Sequence, residues 1–165
     1  MTDADLFRKI FLFQDLPDEG LQQVLGLAVP RHVPAGQVIL REGEPGDTMF
    51  ILTRGEAEIT KRLTLVLGDE APKERVMIRL KAEDGVSFGE MALLENEVRS
   101  ATVTALTDCQ LLELRREDFL GFIAQNPVMG CKILLRLAQL LSRHLRKTNQ
   151  DVVKLTTALA IALGG

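Results

Sequence analysis

Between Ser87 and Val103 the chain reads SFGEMALLENEVRSATV. One carboxylate, Glu90, follows a glycine, Gly89. A guanidinium, Arg99, closes the acidic patch, and strand-forming residues resume directly after it. Folding alone does not require that pair. Gly89 to Leu94 has the length of one helical turn, whose first N–H groups have no internal acceptor and attract an anion. Glycine lets backbone approach a ligand closely. Arg99 offers a planar fork of donors that suits a phosphate, and Ser100 adds a hydroxyl. Glu90 would repel a phosphate alone, but it is a strong acceptor for a sugar hydroxyl. The set suits a sugar phosphate, and a nucleotide above all. The plainer reading is a surface ion pair between Glu90 and Arg99, worth little, with Gly89 as a simple turn residue.

Other chemistries have thin support. Two histidines, His32 and His144, are too few for a cupin-type metal site, and both read as structural. Cys109 and Cys131 are too few for a disulfide framework or an iron–sulfur cluster; they read as buried or half-buried thiols in a reducing compartment. A net charge of −3 argues against broad binding to nucleic acid, which needs a basic footprint. With 46% hydrophobic and 26% charged residues the 165-residue chain reads as one globular domain. The N-terminus does not read as a signal peptide, and no apolar run approaches a membrane span. The expected location is the cytoplasm.

The elements that must position the turn follow from periodicity. Residues 1–29 read as N-terminal helices. Thr2 or Asp3 caps the first, with Phe7, Ile10 and Phe11 on one face; Leu21, Val24, Leu25 and Leu27 mark the second. Residues 30–115 read as short strands with frequent turn signals, as in an antiparallel sandwich or barrel. EGEPGD (Glu42–Asp47) is a turn, and MFILTRGEAEI is two strands around a tight turn at Arg54-Gly55. Residues 61–85 read as a longer hairpin with its tip near Gly68 to Lys73. Two more strands break at Thr107-Asp108.

Residues 116–165 read as helical, with a break at Asn126-Pro127. The second of these helices carries two apolar stripes. Leu134, Ala138, Leu141, Leu145, Thr148, Val152, Leu155 and Leu159 alternate spacings of four and three, the pattern of a coiled-coil seam. Ile133, Leu137 and Leu140 lie on a neighbouring face. One helix with two apolar faces needs two surfaces to bury against: the strands, and a second copy of itself. The plainer reading is a single broad core face; because the strict alternation outlasts what one small barrel could cover, a homodimer through this helix is expected.

FGEMALLENEVRSATV closely resembles the phosphate-binding cassette of cyclic nucleotide-binding domains, the family of the bacterial catabolite activator and of protein kinase A regulatory subunits. The shared pattern is Phe88-Gly89-Glu90, a small apolar turn, then Arg99-Ser100-Ala101 and a strand. VILREGEPGDTMFILTRGEAEI also looks like the family, with glycines at 43, 46 and 55. The resemblance covers most of residues 15–150. It implies a mainly β fold, an eight-stranded antiparallel jelly-roll barrel with N-terminal helices and a long C-terminal helix. It implies that Glu90 binds the ribose 2′-hydroxyl and Arg99 the cyclic phosphate, with Gly89, Met91, Ala92 and Ser100 beside them. In the family the base meets the long helix, which assigns Thr148 and Asn149 to base contacts. cAMP is the expected ligand, with cGMP the alternative. In the bacterial activators a helix-turn-helix domain follows the long helix; none is read here, so this chain alone is not expected to read DNA.

The function expected is a non-enzymatic cyclic nucleotide sensor acting through its long helix on an effector protein that the sequence does not name. The alternative is a degenerate domain, or one for another effector such as cGMP or a cyclic dinucleotide, that serves as a dimerisation scaffold.

Overall fold

The computed structural model of the protein describes residues 3–62 and 74–164. Helices α1 (Asp3–Lys9) and α2 (Asp18–Leu27) come first. Strands β1 (Val29–Val33), β2 (Val38–Leu40), β3 (Thr48–Arg54), β4 (Glu56–Arg62), β5 (Glu74–Lys81), β6 (Ser87–Phe88), β7 (Thr102–Ala105) and β8 (Cys109–Arg115) follow. Helices α3 (Arg116–Gln125) and α4 (Pro127–Ala162) end the described chain. Two antiparallel sheets are ordered β1-β8-β3-β6 and β2-β7-β4-β5. Apart from the adjacent pair β4 and β5, successive strands pass between the two sheets, which is the jelly roll that the resemblance implies.

The burial pattern explains the order. In β3, Met49, Phe50, Ile51 and Leu52 are all buried. Met49 and Ile51 pack with Leu112 and Leu114 of β8 against the helices, while Phe50 and Leu52 point into the sandwich with Phe88 and Leu111. A strand apolar on both faces must be covered on both, so β3 lies inside its sheet, between β8 and β6. MFILTRGEAEI holds the two expected strands on either side of Gly55, but they do not close on each other as a hairpin. β3 and β4 flank Gly55 but do not pair; β4 pairs instead with β5 and β7. Strands β7 and β8 separate in the same way. The hairpin of β4 and β5 is present from Glu56↔Lys81 to Arg62↔Glu74. Its expected tip near Gly68 to Lys73 lies outside the described residues.

The helices form a second core on the outer face of the β3–β8 sheet. Phe7, Ile10, Phe13, Leu21, Val24, Phe119, Phe122, Ile133 and Leu137 meet there. Phe11 departs from the expected face. It follows the end of α1 and lies under two guanidiniums of α4, with Arg136 at 4.9 Å and Arg143 at 4.1 Å from the ring centroid. Arg136 also donates to both carboxylate oxygens of Asp15, at 2.6 and 2.8 Å. That contact holds the Asp15 carboxyl below its ordinary range. The N-terminal segment is therefore clasped to α4.

Ile133 and Leu137 are buried, whereas Leu134, Leu145, Val152, Leu155 and Leu159 are exposed. Cys109 is buried, and burial pushes its thiol up. Cys131 is exposed on α4 rather than half-buried, because it lies off the Ile133–Leu137 stripe. Among the described residues, no helix is long and apolar enough to cross a membrane.

Candidate functional site

The segment Phe88–Ala101 forms one wall of a cavity of about 440 Å³. Pockets that take small organic ligands have volumes of this order. The opposite walls are apolar side chains of β2, β4, β5 and β7, with Leu140 and His144 of α4 at one end.

Within the wall, Glu90–Leu93 form a 3₁₀ turn capped by Gly89 at φ +79°. That left-handed conformation favours glycine, and the space around it is tight. A Cβ at Gly89 would stand 3.1 Å from both Arg99 Nη1 and the Thr48 carbonyl. The N–H groups of Glu90 and Met91 precede the turn's first internal bond, from Ala92 N to Gly89 O. They are the donors that such a turn offers an anion.

Arg99 is only 9% exposed. It does not pair with Glu90. Its Nη1 donates to the Thr48 carbonyl at 2.7 Å and its Nη2 to Thr48 Oγ1 at 2.8 Å. Its backbone is held by the Glu42–Asp47 turn: Arg99 N donates to Glu44 O at 2.8 Å, and Gly43 N to Arg99 O at 2.9 Å. The guanidinium lies so close over Gly46 that a Cβ there would meet Arg99 Nε. Burial pushes the guanidinium's pKa down, and the Asp47 and Glu113 carboxylates oppose that shift. Arginine keeps its charge through such shifts. The result is a desolvated cation anchored on Thr48, at a residue that lines the cavity.

Glu113 shares this region. It is buried on the inner face of β8 and accepts from Arg31 Nε at 2.5 Å. That bond pushes the Arg31 guanidinium up. Glu90 is nearly buried too, and His144 Nδ1 stands 4.0 Å from its Oε1.

The structure brings Gly89, Glu90, Met91, Ala92, Arg99 and Ser100 to the one cavity. It does not bring Thr148 and Asn149 to it. Both are exposed further along α4, beyond the reach of their own chain's pocket. Two residues were missed. His144 continues the inner stripe Ile133, Leu137, Leu140 at the next helical spacing, a signal present in the sequence. Thr48 gave no such signal, because its partner Arg99 is 51 positions away.

A family model, the cyclic nucleotide-binding domain, matches residues 30–126. The chain belongs to the cyclic nucleotide-binding domain family. It is 38% identical over 116 residues to a cyclic nucleotide-gated potassium channel of Mesorhizobium japonicum, covering 70% of this chain and 28% of the channel. The structure of Thermus thermophilus catabolite activator protein matches with TM-score 0.76 and 30% identity, over 88% of this chain and 63% of that one. The regulatory domain of Toxoplasma gondii protein kinase A, crystallised with cAMP, matches with TM-score 0.61 and 34% identity, over 72% of this chain and 42% of that one. The domain thus spans only part of the length of each of these relatives.

Proposed function

We propose that this domain binds one molecule of cAMP per chain and acts as a non-enzymatic cytoplasmic sensor whose output is the placement of α4. One observation supports the reading: Arg99, Glu90 and Met91 line one largely apolar cavity, and the Glu90 and Met91 amides precede the first internal bond of their turn. Arg99 and the amides take the cyclic phosphate. Glu90 accepts from the ribose 2′-hydroxyl. Ile59, Ile78 and Leu80 offer an apolar bed for the base. Support for cAMP comes from the relative crystallised with it. α4 closes one end of the cavity through Leu140 and His144, so occupancy and helix position are linked.

The output is proposed to be a parallel homodimer through α4. The seam from Leu134 to Leu159 would run about 40 Å at 1.5 Å per residue. Most of it is exposed, with Leu145 at 62% and Leu155 at 65%. Thr148 and Asn149 face outward with that seam, and in this arrangement they meet a base only in the dimer.

Displacement of a fluorescent cAMP analogue tests the ligand. cAMP should compete most strongly, with cGMP weaker, and with 5′-AMP and a cyclic dinucleotide weaker still. Displacement led by the dinucleotide would overturn the assignment.

A further inference from the structure

The contact between α4 and the cassette turn places a titratable ring where the ligand's charge arrives. His144 Nδ1 lies 4.0 Å from Glu90 Oε1; the carboxylate side chain is 13% exposed, the imidazole more than half. The other charged groups lining the cavity among the described residues are Glu95, Glu97 and Arg99. From the N-terminal segment only apolar Phe11 and Leu12 face it. On α4 itself, neighbouring Arg143 is engaged over the Phe11 ring. Among the described residues, three carboxylates and one guanidinium therefore line the cavity, and both Nη atoms of that guanidinium donate to Thr48.

An anionic nucleotide entering this cavity adds negative charge beside Glu90. We propose that His144 is a further ligand-site residue, whose imidazolium partners Glu90 in the occupied site, so that nucleotide binding takes up a proton. The inference rests on the nucleotide reading of the cavity. The 4.0 Å separation is that of a loose ion pair, and it must shorten by about 1 Å to become a hydrogen bond. The carboxylate has lone pairs enough for both the imidazolium and a sugar hydroxyl. Histidine changes charge between about pH 5 and 8, and negative charge brought by the ligand favours the charged form of a neighbouring imidazole. The sign follows: affinity rises as pH falls through the imidazole's range, and is level above it. Because His144 stands on α4, the same contact ties the helix to the bound ligand.

The test is calorimetric titration of the full chain with cAMP between pH 8.5 and 5.5, in buffers of different ionisation enthalpy. Wild type should bind about 3- to 10-fold more tightly at pH 5.5, the equivalent of a half to one unit of linkage, with net proton uptake. His144→Gln should bind independently of pH, no more tightly than wild type at pH 8.5. His144→Arg, permanently charged, should bind independently of pH and more tightly than His144→Gln. A wild type with no slope and no proton uptake overturns the proposal. A slope that persists in His144→Gln also overturns it, assigning the proton to Glu90, Glu95 or Glu97. A wild type that binds no cAMP at any pH overturns the functional reading itself, so the two failures are distinct.

Discussion

Replacing Arg99 by alanine separates a ligand contact from a structural one. The side chain makes two hydrogen bonds, both to Thr48, and its backbone is held separately by Gly43 and Glu44. Truncation therefore leaves the loop in place. It loses two bonds from a charged donor, but it also relieves the desolvation that depresses the guanidinium. Those effects oppose each other, and the net stability loss should be about 1–2 kcal/mol. For a domain of this size that lowers Tm by roughly 2–8 °C. Binding should suffer far more. A bidentate phosphate contact forfeits two charge-assisted bonds of roughly 1.5–3 kcal/mol each, so affinity should fall on the order of 100-fold or more. Removing Arg99, the one arginine lining the cavity among the described residues, also leaves Glu90, Glu95 and Glu97 to repel an anion. Arg99→Lys keeps the charge without the fork and should fall between. Calorimetry and thermal melts on the three proteins give both quantities. If Arg99→Ala bound cAMP as wild type does but melted early, Arg99 would be a structural cation only.

Gly89→Ala forces a side chain into a left-handed conformation at φ +79° and against Arg99 and Thr48, so it should cost about 1–2 kcal/mol of stability and weaken binding. An unchanged melt would contradict the turn geometry. Glu90→Gln should weaken cAMP binding, and 2′-deoxy-cAMP should lose little further in that variant; additive losses would remove Glu90 from the ribose. Leu145→Glu should leave the single-chain fold intact, because that side chain is exposed, while costing the dimer several kcal/mol through charge burial in the seam. Sedimentation should show a monomer, and a wild type that is monomeric at tens of micromolar would refute the seam.

What was legible in the sequence was local. The cassette's glycine, carboxylate and arginine lie within one short run, and the structure gathers them on one wall. The α4 stripe was legible because helical spacing is set by the backbone alone. Reading it one step further would have found His144. The partition of β3 and β4 into different sheets was not legible. A glycine between two strands looks the same whether the chain folds back on itself or crosses to a facing sheet. Only the double-sided burial of Met49–Leu52 distinguishes them. The anchoring of Arg99 on Thr48 depends on the long-range pairing of β3 with the rest of its sheet, which no local pattern encodes. Phe11 looked like a core residue by spacing, but the chain leaves α1 at Lys9, and the ring turns to the arginines of α4.

The cavity lined by Arg99 and Glu90 is proposed to take a cyclic mononucleotide. Calorimetric titration of the purified chain with cAMP measures it directly. One site per chain with micromolar or tighter affinity, about −8 kcal/mol, is the expected result. Ligand at 100 times its Kd should add about 2.7 kcal/mol and raise Tm by roughly 5–10 °C. No heat and no thermal shift with either cAMP or cGMP would contradict the account.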